Sequence, residues 1–94
     1  MNRMTPKLPA GSRVLFNALY ENPAPRGLTD DLFAAVLPND VHVGVGWFPE
    51  LDPAGVYEIC FYRDTYENQL TEPLKTRDLN EAVRFIEEHS EQMM

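Results

Sequence analysis

Cysteine is nearly absent from this chain of 94 residues, and Cys60 is the only one. A single thiol rules out an intramolecular disulfide and a cysteine-built zinc site. Small secreted domains usually carry paired cysteines, so a reducing, cytoplasmic compartment is the expectation. Long apolar runs are missing too. The longest nearly apolar run, Val41 to Phe48, contains His42 and two glycines. It falls far short of the ~20 apolar residues that a helical bilayer span requires, and no membrane association is expected. No apolar signal core follows the basic, proline-containing start, and no Asn-x-Ser/Thr acceptor occurs.

Basic residues are also scarce. Eight Lys and Arg stand against fifteen Asp and Glu, a formal charge of −7. The imbalance is uneven. Residues 1–27 carry Arg3, Lys7, Arg13 and Arg26 against Glu21 alone, a local balance of +3, which leaves −10 for residues 28–94. Nucleic-acid binders displace counterions with a basic face, so an acidic body excludes that class of partner. An acidic surface serves solubility, or it docks a basic protein.

The 44% hydrophobic and 24% charged content is that of an ordinary globular domain. One core is expected, with residues 1–11 a flexible N-terminal arm and 12–94 a single α+β domain. From Ser12, Val14, Leu15, Ala18 and Leu19 fall at helical spacing. Alternation through Val14, Phe16, Ala18 and Tyr20 fits a strand nearly as well. Thr29 as N-cap, Asp30 and Asp31 in the first turn and the stripe Leu32, Phe33, Val36, Leu37 predict a second helix ended by Pro38.

After Asn39-Asp40 the period changes to two. Val41, Val43, Val45 and Trp47 form one face of a strand, and His42, Gly44, Gly46 and Phe48 the other. A loop over 49–55 turns the chain back into a strand from Val56 to Arg63, with Tyr57, Ile59 and Phe61 on the core side. Gln69 to Thr76 reads as a third strand, held to an edge by Pro73. Asp78 with Glu81 opens a C-terminal helix whose inner stripe is Leu79, Ala82, Val83 and Ile86. The expected fold is a three-stranded antiparallel meander with helices on one face, in the order α-α-β-β-β-α.

Pairing Phe48 with Val56 places Gly46 opposite Glu58, Gly44 opposite Cys60 and His42 opposite Tyr62. These eight residues, His42, Gly44, Gly46, Phe48, Val56, Glu58, Cys60 and Tyr62, share the face that the core does not use. A Cys60–His42 nucleophile is conceivable there, yet no cation or helix N-terminus lowers the thiol pKa, Glu58 raises it, and no oxyanion hole is evident. Gly44-Val-Gly46 lacks the third glycine and following helix of a dinucleotide site. Asp64, Asn68 and Glu72 lack the spacing of a calcium loop, and His89 has no companion ligands. No catalytic residue, metal or cofactor is assigned.

Ten aromatics are generous for this length. Phe48, Val56 and Tyr62, rimmed by His42 and Glu58, then form an apolar patch of the kind that engages a protein partner. The functional expectation is a non-enzymatic binding or assembly module, homodimeric through this face. Two alternatives stand beside it: an acidic inhibitor or immunity-type protein that neutralises a basic partner, and a small Cys/His enzyme.

Overall fold

A computed structural model describes residues 2–94. Five strands form one antiparallel sheet in sequential order: β1 (Arg13–Asn17), β2 (Phe33–Val36), β3 (Val41–Phe48), β4 (Val56–Arg63) and β5 (Leu74–Thr76). One helix, α1 (Leu79–Gln92), follows the last strand. Among the described residues, the three-stranded meander in the order α-α-β-β-β-α is therefore corrected to five strands and a single α-helix.

Both corrections fall in the first half of the chain. Residues 28–38 form β2 and its flanks rather than a helix. Phe33, Ala35 and Leu37 are buried while Ala34 and Val36 are half-buried, a period of two. The run Leu32 to Leu37 satisfies either period, and so short a segment cannot sustain a helix by itself. Pairing with β3 decides it, through Phe33–Val45, Ala34–Gly44, Ala35–Val43 and Val36–His42. The Thr29 hydroxyl bonds the Asp31 carbonyl in a local turn instead of capping a helix. Asn39-Asp40 is the turn of the β2–β3 hairpin, where Asp40 adopts a φ of 65° and the Leu37 amide bonds the Val41 carbonyl. Over 12–20 the strand alternative is realised, as β1. Pairing with β2 decides it, through Arg13–Val36, Val14–Ala35, Phe16–Ala34 and Asn17–Phe33, and Val14 and Phe16 suit a pleated surface.

The β3–β4 hairpin has the register expected from its two faces, with His42–Tyr62, Gly44–Cys60, Gly46–Glu58 and Phe48–Val56 paired. Gly55 closes its loop. A Cβ there would meet the Phe48 carbonyl oxygen at 2.6 Å and the Trp47 Nε1 at 2.7 Å. The Trp47 indole N–H is satisfied by the Asp52 carbonyl at 2.7 Å. The third expected strand shortens to Leu74–Thr76, and Pro73 stands just before its ladder.

Helix α1 starts where the capping signal places it. The Asp78 carboxylate accepts from the amides of Asn80 (2.9 Å) and Glu81 (3.4 Å). Ala82, Val83, Ile86 and Ser90 are its buried residues. The helix packs on β4 and β5, with Phe85 and His89 against Phe61. Its C-terminal end is tied to the β2–β3 turn by the Asn39 amide, which donates to the Met93 carbonyl at 2.6 Å.

The rest of the inner face is covered by segments without regular structure. Leu19, Leu28 and Leu32 are buried there, and Met4 and Leu8 pack against them. The Met4 amide bonds the Leu19 carbonyl and the Lys7 amide bonds Glu87. All this cover lies on one side of the sheet. Among the described residues, no helix or strand lies across the other.

Candidate functional site: the outer face of the sheet

The registers assemble the outer face row by row. One row crosses four strands as Arg13, Val36, His42 and Tyr62. The next runs Phe16, Ala34, Gly44, Cys60. A third contains Gly46, Glu58 and Lys75, and Phe48 with Val56 closes the hairpin end. The second row has only small side chains between Phe16 and Cys60, so it forms a trough between taller neighbours.

Two loops raise the walls of that trough. The β4–β5 connection brings Tyr66 back over Cys60, and the segment before β2 brings Asp30 and Asp31 alongside β3. The result is a groove of about 380 Å³ whose lining includes Gly44, Gly46 and Cys60 at the floor and Phe48, Tyr62 and Tyr66 as aromatic walls. Asp30, Asp31 and Glu58 line it as well. Gly46 has no alternative at its position. A Cβ on it would lie 2.5 Å from the Asp30 carbonyl oxygen, because the segment before β2 passes directly against β3. At Gly44 a Cβ would make only an ordinary contact with the Tyr62 ring at 3.7 Å.

Aromatic contacts hold the groove's rim. His42 stacks on Tyr62 with centroids 5.1 Å apart and planes 14° from parallel. Tyr62 in turn leans on Tyr66 at 5.7 Å. Phe48 is 38% exposed, Tyr66 51% and Phe16 43%, an unusual amount of aromatic surface for one face of a small domain.

Cys60 is 2% exposed. Its Sγ lies 3.4 Å from the Tyr66 hydroxyl, which also donates to Glu58 Oε1 at 3.4 Å. Burial pushes the thiol pKa up; the Tyr66 hydrogen bond opposes it, the Glu58 charge and hydrogen bond add to the rise, and Lys75 opposes it least. The Tyr66 phenol is raised too, first by its hydrogen bond to Cys60 and then by burial. Both groups stay protonated at neutral pH. A nucleophilic thiol needs the reverse arrangement, and the hydrogen-bond partners of Cys60 are Tyr66 and Glu58 rather than His42. The geometry does not support Cys/His catalysis.

The eight residues singled out by parity thus lie on one face, but not all line the groove. His42 and Val56 sit beside it, whereas Gly44, Gly46, Phe48, Glu58, Cys60 and Tyr62 line it. Sequence reasoning missed Asp30, Asp31, Ala34, Phe16 and Tyr66. The first three were assigned to a helix, and Tyr66 lies in a loop where parity carries no information. A second concavity, about 480 Å³ and lined by Trp47, Tyr57, Leu28 and Arg77 among others, opens beside the start of α1. Two of its polar side chains are committed within the fold: Arg77 donates to the Pro53 carbonyl at 3.1 Å, and the Asp78 carboxylate caps α1.

Among the described residues no cluster of three His, Cys, Asp or Glu side chains is placed to hold a metal ion. Among the described residues no helix is long and apolar enough to cross a membrane. No protein-family model matches the chain, no characterised protein matches it, and no solved structure matches it.

Proposed function

We propose that this protein is a non-enzymatic binding module that docks a basic segment of a partner protein on the outer face of its sheet. The groove's composition carries this reading. Its walls combine three aromatic rings with three carboxylates, and no Lys or Arg lines it. A guanidinium or ammonium group entering such a site meets aromatic faces and negative charge together. The half-buried Ala34 and Gly44 at the floor carry too little side chain to obstruct the stem of a long basic residue lying along it.

Charge also selects between a foreign partner and a second copy. Two copies joined face to face would bring their Asp30, Asp31 and Glu58 sets together, and like charges oppose that approach. A basic partner is drawn to the same set. This favours the inhibitor-like reading of the acidic body over assembly through this face. The raised thiol of Cys60 supports the non-enzymatic part of the proposal.

Calorimetric titration with arginine-rich and aspartate-rich peptides of equal length tests it. Binding of the basic peptide alone is expected, weakened about 5- to 150-fold by Tyr62→Ala as an aromatic anchor worth ~1–3 kcal/mol. Glu58→Gln is expected to weaken it and to flatten its salt dependence. Equal binding of both peptides, or none of either, would remove the groove from consideration, as would a basic peptide that binds both variants like the parent.

A further inference from the structure

We infer that the cation this groove selects is an N-methylated lysine of the partner segment, in preference to an unmodified lysine or an arginine. The inference rests on the groove as the docking site and adds the chemical form of the side chain that enters it.

Two rings close on the floor from opposite ends. Phe48 folds back along β3, so that a Cβ on Gly46 would lie 2.9 Å from its Cε2. Tyr62 leans over Gly44, where a Cβ would lie 3.7 Å from its Cε1. These glycines are two residues apart on one strand, a step of roughly 6.5 Å. Tyr66 makes a third wall, tilted 59° from Tyr62 with ring centroids 5.7 Å apart. Rings that converge on one hollow from several sides are the arrangement that holds methylated ammonium groups.

Hydrogen bonding decides between the forms of the cation. A bare ammonium has three N–H donors and a guanidinium five, and a donor taken out of water needs an acceptor. The polar groups on the β4 side are already engaged with one another. The Tyr66 hydroxyl donates to Glu58 Oε1 at 3.4 Å, and the Cys60 thiol donates to the same oxygen at 3.9 Å. The thiol and the hydroxyl are themselves 3.4 Å apart. Lys75 is the cross-strand neighbour of Glu58, so one ammonium already stands beside that carboxylate. Asp30 and Asp31 are exposed, and they supply negative charge from the rim while remaining in water. The hollow thus offers ring faces and a negative field but few free acceptors. Each N-methyl group removes a donor, keeps the charge and adds apolar surface for the rings to cover. A trimethylated lysine has no N–H left to satisfy.

Calorimetric titration of the full chain tests the inference, using one basic peptide whose central lysine is unmodified, dimethylated, trimethylated or replaced by arginine. The trimethylated form is expected to bind about 5- to 30-fold more tightly than the unmodified and arginine forms, with the dimethylated form between. A neutral analogue, with carbon in place of the trimethylated nitrogen, is expected to lose that gain. Tyr66→Phe keeps the ring and removes the hydroxyl that occupies Glu58 Oε1. The unmodified peptide is expected to gain affinity there, and the preference to shrink about twofold or more. Phe48→Ala, checked for an intact fold by its Tm, is expected to bring the preference close to unity. Equal binding of the unmodified and trimethylated forms, or tighter binding of the arginine form, would overturn the inference and leave the groove as a site for basic segments. Absence of binding by every form would remove both. A neutral analogue as tight as the trimethylated form, or a preference that Tyr66→Phe and Phe48→Ala leave unchanged, would also overturn it.

Discussion

Two glycines of the central strand look alike in sequence and differ in consequence. Both sit on the outer face of β3, and in both the missing side chain deepens the groove. At Gly46 a backbone carbonyl blocks the position at 2.5 Å, whereas at Gly44 the nearest atom belongs to a side-chain ring at 3.7 Å. Gly46→Ala must therefore push the Asp30 segment away, and a loss of about 1–3 kcal/mol is expected, as for other overpacked sites. Gly44→Ala is expected to change stability by less than ~0.5 kcal/mol while partly filling the trough. Urea denaturation of the two variants checks this pair, and equal destabilisation would mean that the wall segment is not seated on β3. The same contrast explains what residue types could and could not reveal. Alternation in Val41 to Phe48 put both glycines on the free face, and the Gly44–Cys60 and Gly46–Glu58 pairings followed from it. The carbonyl pressed on Gly46 comes from a segment sixteen residues earlier, and no local pattern announces a long-range approach of that kind.

Elements with two independent signals were legible. Helix α1 has a capping carboxylate at Asp78 and a stripe at i, i+3, i+4 and i+7, and it forms over Leu79–Gln92 with Ala82, Val83 and Ile86 buried. The β3–β4 hairpin has two alternating strands and a turn-rich loop. β2 had only one signal, an apolar run of six that accommodates both periods, and Thr29-Asp30-Asp31 imitated a helix start. Its strand character is conferred by β3, a tertiary contribution that overrides local preference. β1 was ambiguous for the same reason, and the groove's acidic wall was hidden by the misassigned helix. At this scale the prediction concerns α1, which alone among regular elements covers the inner face. Ile86 is fully buried, and Ile86→Ala is expected to cost ~2–5 kcal/mol. Removing the cap with Asp78→Ala should cost ~1 kcal/mol. Thermal melts would contradict this if the cap variant were the more damaging of the two.

For the molecule as a whole, the acidic groups with raised pKa values make stability depend on pH in one direction. Burial raises the pKa of Cys60 and of Tyr57, and the Tyr66 phenol is raised chiefly by its hydrogen bond to Cys60. In the unfolded chain these groups release protons at their ordinary values, about 8.5 for a thiol and 10 for a phenol. Below that range both states hold the protons and the groups contribute no pH dependence. Above it the unfolded state ionises first, the folded state binds more protons, and the free energy of unfolding falls as pH rises. The stability they protect is thus complete at neutral pH and is lost on the alkaline side, beginning near the thiol and deepening near the phenols. The −7 formal charge is distributed against the same change, since each further ionisation adds a negative charge to a body that already repels itself. Urea midpoints measured at pH 7, 9 and 10.5 are expected to decline in that order. Cys60→Ser removes the earliest-titrating group and is expected to shrink the drop between the first two values while leaving a phenol-dependent drop above them. Midpoints that hold level or rise from pH 7 to 10.5 would show that Cys60 and Tyr57 are not buried, and Tyr66 not hydrogen-bonded to Cys60, as described.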